Sequence, residues 1–261
     1  MMKSNETVLI TGASGGIGKE LAILFAKDGF DLVLVARSID NLMEVKNEIE
    51  SMSKVKIHLF SKDLSKEEEI VSLQKELNAE TIQVDYLVNN AGFGLFGEFV
   101  TTNLDEELNM IDLNIRTVTH LTKLFLKGMI ERNKGGVMNI ASTAAFQPGP
   151  LMAVYYATKS YVLSFTEALA NEMKGTNVNV TAVCPGATET NFGKRANIHE
   201  SNLFQSGVGN VKDVAKVAYR GFRDGKTIVI PGMTNKILAN SVRFMPRKLV
   251  TNVVRYIQRR I

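Results

Sequence analysis

Short apolar runs alternating with longer amphipathic stretches constrain this chain more than any other feature. The runs lie near residues 7–11, 31–36, 55–60, 85–89, 136–141, 178–184 and 227–230. Between them, residues near 16–28, 40–53, 65–78, 104–131, 152–174 and 211–224 carry apolar positions at helical spacing. Strands alternating with helices are the sequence sign of a parallel sheet wound with helices on both faces. The expectation is a three-layer α/β/α domain around a seven-stranded, doubly wound parallel sheet. Gly29, Gly135-Gly136 and Gly175 fall just after helices, where a left-handed cap is wanted.

At 261 residues and 28.8 kDa the chain is long enough for one large domain with a well-buried core. Its 45% apolar and 22% charged content is that of an ordinary soluble globular protein. One cysteine, Cys184, excludes a disulfide framework, and its place in the apolar run from Val178 points to a buried, inert thiol. His58, His120 and His199 are scattered without metal-ligand spacing, so no metal site is expected. With no secretory h-region and no run of 18 apolar residues, the expectation is a cytoplasmic protein. The net charge of +4 conceals an asymmetry: residues 234–261 hold seven Lys or Arg and no acid, so the residues before them sum to −3.

The first run, Thr7 to Ile10, leads straight into Thr11-Gly12-Ala13-Ser14-Gly15-Gly16-Ile17-Gly18. Glycines between a strand and a helix let the backbone approach a pyrophosphate, and the helix N-terminus adds amide donors and a favourable dipole. A glycine-rich turn alone can be no more than a tight loop; the strand–turn–helix context raises it to a dinucleotide site of Rossmann type. Where the second strand ends, a carboxylate would bind the ribose hydroxyls of NAD. This chain has Ala36-Arg37-Ser38 instead. Arg37 can pair bidentately with a 2′-phosphate and Ser38 can add a hydrogen bond, which favours NADP(H). The alternative is that Arg37 faces solvent beside Asp40.

Further along come Asn89-Asn90-Ala91-Gly92, Asn114, Ser142, Tyr155, Lys159 and Pro185-Gly186. Tyr155 and Lys159 are four apart and share one helical face, with Ser142 thirteen residues before the tyrosine. A phenol with a pKa of about 10 becomes a working acid–base when a neighbouring cation lowers it by roughly three units. In this order and spacing, from about residue 5 to about residue 230, the chain resembles the short-chain dehydrogenase/reductase family. The stretch from Pro150 to Lys159 is similar to bacterial NADP-dependent reductases related to β-ketoacyl and hydroxysteroid enzymes.

The resemblance implies a function and roles. It implies an oxidoreductase in which hydride passes from NADPH to a carbonyl carbon while Tyr155 protonates the oxygen. Lys159 would lower the Tyr155 pKa and bond the nicotinamide ribose, and Ser142 would donate to the substrate oxygen. Asn114 would hold a water in a proton relay. Asp63 and Leu64 would hold the adenine, though Asp63 can equally cap the helix starting near Ser65. Asn90, Ala91 and Gly92 would run beside the cofactor. Thr188, just after the cofactor-binding Pro185-Gly186, would contact the nicotinamide carboxamide, with Thr190 a further candidate. Since cells usually keep NADPH reduced, reduction is the expected direction. A regulatory protein that senses NAD(P) on the same fold without catalysis is the alternative.

Substrate information is thinner. Phe93, Phe146, Met152 and Phe192 are expected on an apolar pocket wall, suggesting a lipophilic ketone, aldehyde or acyl thioester, although most pockets are lined this way. Residues 192–210, with Arg195, His199, Leu203 and Phe204, correspond to the family's variable lid. Residues 1–233 are expected as the catalytic domain and 234–261 as a basic amphipathic appendage, broken at Pro246. That appendage packs on the body or a dimer partner, or lies on an anionic membrane surface. Nucleic acid is disfavoured, because the basic charge is confined to one segment. By resemblance, the helices near 104–131 and 152–174 pair between subunits, giving a homodimer or homotetramer.

Overall fold

A computed structural model describes residues 6–196 and 208–258. The strands are β1 (Thr7–Thr11), β2 (Asp31–Ala36), β3 (Ile57–Ser61), β4 (Tyr86–Asn89), β5 (Gly135–Ile140), β6 (Val178–Val183) and β7 (Ile228–Val229). They form one sheet in the order β3-β2-β1-β4-β5-β6-β7, with every pairing parallel. Leu9 of β1 lies beside Val33 on one side and Leu87 on the other. Continuous apolar runs form these strands because both faces are covered; from Leu32 to Ala36 every residue of β2 is buried.

Among the described residues the helices are α1 (Gly16–Lys27), α2 (Ile39–Glu50), α3 (Glu67–Ala79), α4 (Leu104–Ile111), α5 (Thr117–Glu131), α6 (Ala153–Glu172), α7 (Phe192–Arg195), α8 (Val211–Arg223), α9 (Met233–Ser241) and α10 (Arg247–Gln258). One face of the sheet carries α1, α2 and α8, through Leu21, Phe25, Leu42, Ile49, Ala215 and Phe222. The other carries α3, α5 and α6, through Leu73, Leu77, Leu121, Met129 and Leu169. Each fully buried Leu, Ile or Phe contributes about 1.5–3 kcal/mol. The helix expected over 104–131 is one rod, widened to a π turn at Asp112–Arg116 between α4 and α5. Thr117 supports that turn by donating to the carbonyl of Asp112, five residues back, at 3.0 Å.

One expected cap differs. After α5 the left-handed residue is Asn133, at φ 49°, a side chain that tolerates this region. Gly135 and Gly136 instead begin β5. A Cβ on Gly135 would stand 2.4 Å from the Asp85 carbonyl, so glycine is required by the neighbouring strand rather than by the helix end.

Strand order reverses between β1 and β4, the two neighbours that flank the topological switch point. Ligands of open α/β sheets bind at the carboxyl ends of such strands. The glycine turn follows β1 there, and Asn90-Ala91-Gly92 follows β4. A buried side-chain network holds the strands behind it. Asn89 donates to Asn139 at 2.8 Å and to Thr122 at 3.1 Å, and Asn139 donates to Thr166 at 2.9 Å. This ties β4, β5, α5 and α6 together by bonds that stay strong away from water.

Candidate active site

A cavity of about 510 Å³ runs along the carboxyl edge of the sheet. Its floor is the glycine turn. Gly12 takes φ 64° and Gly16 φ 55°, conformations that favour glycine. Asn90 locks the turn by donating from Nδ2 to the carbonyls of Thr11 at 2.9 Å and Gly12 at 3.0 Å. The buried Thr11 hydroxyl accepts from the amides of Asn90 and Ala91, both at 3.0 Å. Ser14, Gly15, Gly16 and Ile17 line the cavity where α1 begins, so the free amides of a helix N-terminus face it. Nothing lies within 4 Å of a Cβ built on Gly15, which leaves room for a ligand against the backbone.

At one end of the cavity lie Arg37, Ser38, Asn41, Lys62, Asp63 and Leu64. Ser38 caps α2 by accepting from the Asn41 amide at 3.3 Å. Arg37 is exposed. Lys62 is already engaged, 2.6 Å from Glu76 and 3.6 Å from Glu69. Asp63 does not cap a helix at Ser65: its Oδ1 accepts from the Ser65 hydroxyl at 2.8 Å within a turn, and α3 starts at Glu67.

The other end holds Ser142, Tyr155 and Lys159. Tyr155 and Lys159 lie on the inward face of α6 and both are buried. Ser142 stands at the end of β5, where its Oγ accepts from the Ala144 amide at 3.1 Å. Burial pushes the Tyr155 phenol well above its ordinary range, and the Ser142 hydroxyl beside it offsets part of that rise. Lys159 is held down to about 8, because burial disfavours its charged form. Its Nζ donates to the Ile140 carbonyl at 2.8 Å and stands 5.8 Å from the centre of the Tyr155 ring. The spacing brings both side chains to one face of α6, with the ammonium bonded to the carbonyl at the strand end.

Asn114 is buried in the π turn. Its Nδ2 donates to the Phe93 carbonyl at 2.9 Å and to Thr158 at 3.1 Å, and its Oδ1 accepts from the Phe93 amide at 3.2 Å. The side chain pins the loop after Gly92 and does not line the cavity. Pro185, Gly186, Thr188 and Thr190 close the roof. Thr188 donates to the Gly186 carbonyl at 2.9 Å and pairs with Gly209 in an isolated bridge.

Phe93, Met152 and Phe192 form the apolar wall at the Tyr155 end, with the Phe192 ring 5.3 Å from that of Tyr155. Phe146 does not join them. At the end of the short 3-10 turn Thr143–Phe146, it packs instead against the cluster that holds Ala141, Ala145, Val162 and Leu163. Residues 197–207, with His199, Leu203 and Phe204, lie outside the described residues.

A phosphate-ready glycine turn, an exposed arginine, a half-buried Ser142 and a buried Tyr155–Lys159 pair thus share one cavity. Residues 6–201 match the short chain dehydrogenase family. The chain belongs to that family. Over 228 residues it is 30% identical to the ketoacyl reductase HetN of Nostoc sp., covering 87% of this chain and 78% of that protein. It is 35% identical over 193 residues to the human very-long-chain 3-oxoacyl-CoA reductase, covering 72% of this chain and 61% of that enzyme. A short-chain dehydrogenase from Sphingobium yanoikuyae, solved in complex with NADPH, superposes with a TM-score of 0.83 at 30% identity, covering 94% of both chains.

Membership makes this short-chain dehydrogenase an oxidoreductase acting on CH–OH and C=O groups, in a family that uses NAD(P)(H). The donors fit such a dinucleotide: free amides and glycines at the start of α1, and a hydroxyl and a guanidinium after β2. Several residues of the site carry no motif. Asn41, Asn109, Leu113 and Tyr156 line the cavity, and Gly94 leaves the space into which Met152, Phe192 and Tyr155 converge, all three near 3.0 Å of a built Cβ. Tyr156 is buried and pushed up to about 12 by that burial. Its hydroxyl accepts a bond from Gln258 of α10. The C-terminal segment thus reaches the site, 102 residues from its partner in sequence.

Proposed function

We propose that this short-chain dehydrogenase is an NADPH-dependent reductase of a lipophilic ketone, aldehyde or β-ketoacyl group. The observation that carries the reading is one cavity with Ser142 and Tyr155 at its apolar end and Arg37 at its polar end. When bound, the reduced nicotinamide supplies the hydride that reaches the carbonyl carbon. Ser142 donates a hydrogen bond to the substrate oxygen, where negative charge develops. Tyr155 gives that oxygen its proton, so the carbonyl leaves as an alcohol. Burial keeps Tyr155 protonated at neutral pH, the state from which a reductase must start. Lys159, at about 8, is still mainly cationic at pH 7 and lies behind the ring as the phenol gives up its proton.

Arg37 supports the phosphorylated cofactor. No carboxylate stands at the end of β2, and Lys62, the other cation lining this end, is paired with Glu76. The test is NADPH consumption, followed by absorbance, against ketones, aldehydes, quinones and β-ketoacyl thioesters. Tyr155→Phe should abolish turnover while NADPH still binds; turnover that persists would sink the proton role. Arg37→Ala should raise the KM for NADPH at least tenfold and leave NADH unchanged. Equal losses for both would remove the phosphate contact. Binding without turnover of any carbonyl would favour the sensing role.

A further inference from the structure

The two C-terminal helices carry a surface that the catalytic cavity does not use. α10 turns Val250, Val254 and Gln258 inward; Val250 and Gln258 are buried, and Val254 packs against the apolar cluster that holds Met152, Tyr155 and Tyr156. Leu249, Val253, Tyr256 and Ile257 recur at i, i+4, i+7 and i+8 on another face, and all are exposed, Tyr256 to 70%. Before them, Met233 is 73% and Phe244 89% exposed. Glu98 pairs with Arg255 at 3.2 Å, bringing the loop with Phe99 and Val100, the latter 87% exposed, beside the same helix.

Charge on this segment has one sign. Residues 233–258 contain Lys236, Arg243, Arg247, Lys248 and Arg255 and no Asp or Glu, and Arg259 and Arg260 follow in the sequence. Large apolar side chains in water among cations are the composition of a helix that lies in a lipid interface. A two-fold contact with a second copy would bring two faces of the same positive sign together. We propose that the outward face of α9 and α10, with the Phe99–Val100 loop, docks on an anionic lipid bilayer.

The geometry suits lying rather than crossing. The 12 residues of α10 span about 18 Å, against a hydrocarbon core of about 30 Å. Because the inner face of α10 bonds Tyr156, the bilayer lies about one helix diameter, ~10–12 Å, from the cavity wall. The docking goes beyond the reductase reading and does not rest on it.

The test is co-sedimentation of the full chain with vesicles of phosphatidylcholine alone, or with one third phosphatidylglycerol. The chain should pellet with the anionic vesicles only, and added salt should release it. Arg247→Glu with Lys248→Glu should weaken partitioning by at least about 25-fold, at roughly fivefold per basic side chain. Leu249→Ser with Tyr256→Ser should weaken it too, and thermal melts check that both variants fold. No pelleting on either vesicle, or equal pelleting on both, overturns the proposal. So does an intact chain that ignores vesicles while the serine variant loses mass in sedimentation velocity, since the face would then belong to a second copy.

Discussion

Gly15 and Gly18 separate two tasks of the glycine turn. A methyl at Gly18 would stand 2.4 Å from the Gly12 carbonyl oxygen and 2.5 Å from Asn90 Nδ2. Neither atom is a flexible side-chain end: one is backbone, and the other is held by the Thr11 and Gly12 carbonyls at 2.9 and 3.0 Å. An ordinary carbon–oxygen contact needs about 3.3 Å, so the turn must open by close to 1 Å. Overpacking of that kind costs about 1–3 kcal/mol, and Ala over Gly inside a helix returns about 0.5–1 kcal/mol. Gly18→Ala should therefore lose about 1–2 kcal/mol net. A methyl at Gly15 meets nothing within 4 Å, and the backbone there is extended at φ 175°. Gly15→Ala should hold or raise stability, by up to about 1 kcal/mol, through the unfolded chain. It should nonetheless weaken NADPH binding at least tenfold, because the new methyl occupies the space where a diphosphate approaches the α1 amides. Urea unfolding measures the first quantity and titration of NADPH fluorescence the second. Unchanged binding in Gly15→Ala would refute the backbone cradle, and unchanged stability in Gly18→Ala would show that the turn has slack.

Thr11→Val should leave the amides of Asn90 and Ala91 without their acceptor and cost about 2–4 kcal/mol in urea unfolding; a loss under about 0.5 kcal/mol would mean the loop re-pairs. Lys159 has a pKa of about 8 against an ordinary 10.5, so between those values the unfolded chain holds a proton that the folded chain has released. Stability should therefore rise with pH from about 8, by up to about 3 kcal/mol for the full shift, until the buried tyrosines oppose it above their ordinary pKa of about 10. Lys159→Met should flatten that rise while removing turnover, and an unchanged pH slope would put the ammonium in water. Gln258→Leu removes one bond to Tyr156 together with a buried Oε1 that has no partner among the described residues, so stability should move by less than about 1 kcal/mol. Its effect should appear in the KM for bulky carbonyls; a loss of several kcal/mol with unchanged KM would make Gln258 merely structural.

The sheet was legible because burial on both faces writes parallel strands as unbroken apolar runs, and β1, β2 and β6 begin where those runs begin. β3 starts at Ile57 rather than 55, because strand ends are set by pairing with Leu32 of β2, which the local pattern does not encode. Gly135 shows the same limit. A glycine required by a helix end and one required by an approaching carbonyl look alike in sequence. Phe146 was misread because chain position between Ser142 and Tyr155 does not give side-chain direction, which the 3-10 turn decides. Asn41 and Gln258 had no signal: one is a polar residue in the first turn of a helix, the other a glutamine near the end of the chain.

The two ends of the cavity differ in how the fold builds them. The cradle is made at strand ends a few residues from their motifs, and Thr11 and Asn90 bond β1 to β4 directly across the switch point. Its geometry follows from the sheet, so residues there can be named from sequence alone. The apolar end draws Phe93, Met152, Phe192 and Tyr156 from separate loops and a helix start, with Gln258 closing behind Tyr156 from the last described turn. Those contacts depend on how α7 and α10 settle on the body, not on sheet register. A substitution at the cradle must move a strand and is costly. One on α10 moves a helix that already carries exposed apolar residues, so the carbonyl preference of the proposed reductase should change there while the chemistry proposed for Ser142 and Tyr155 stays in place.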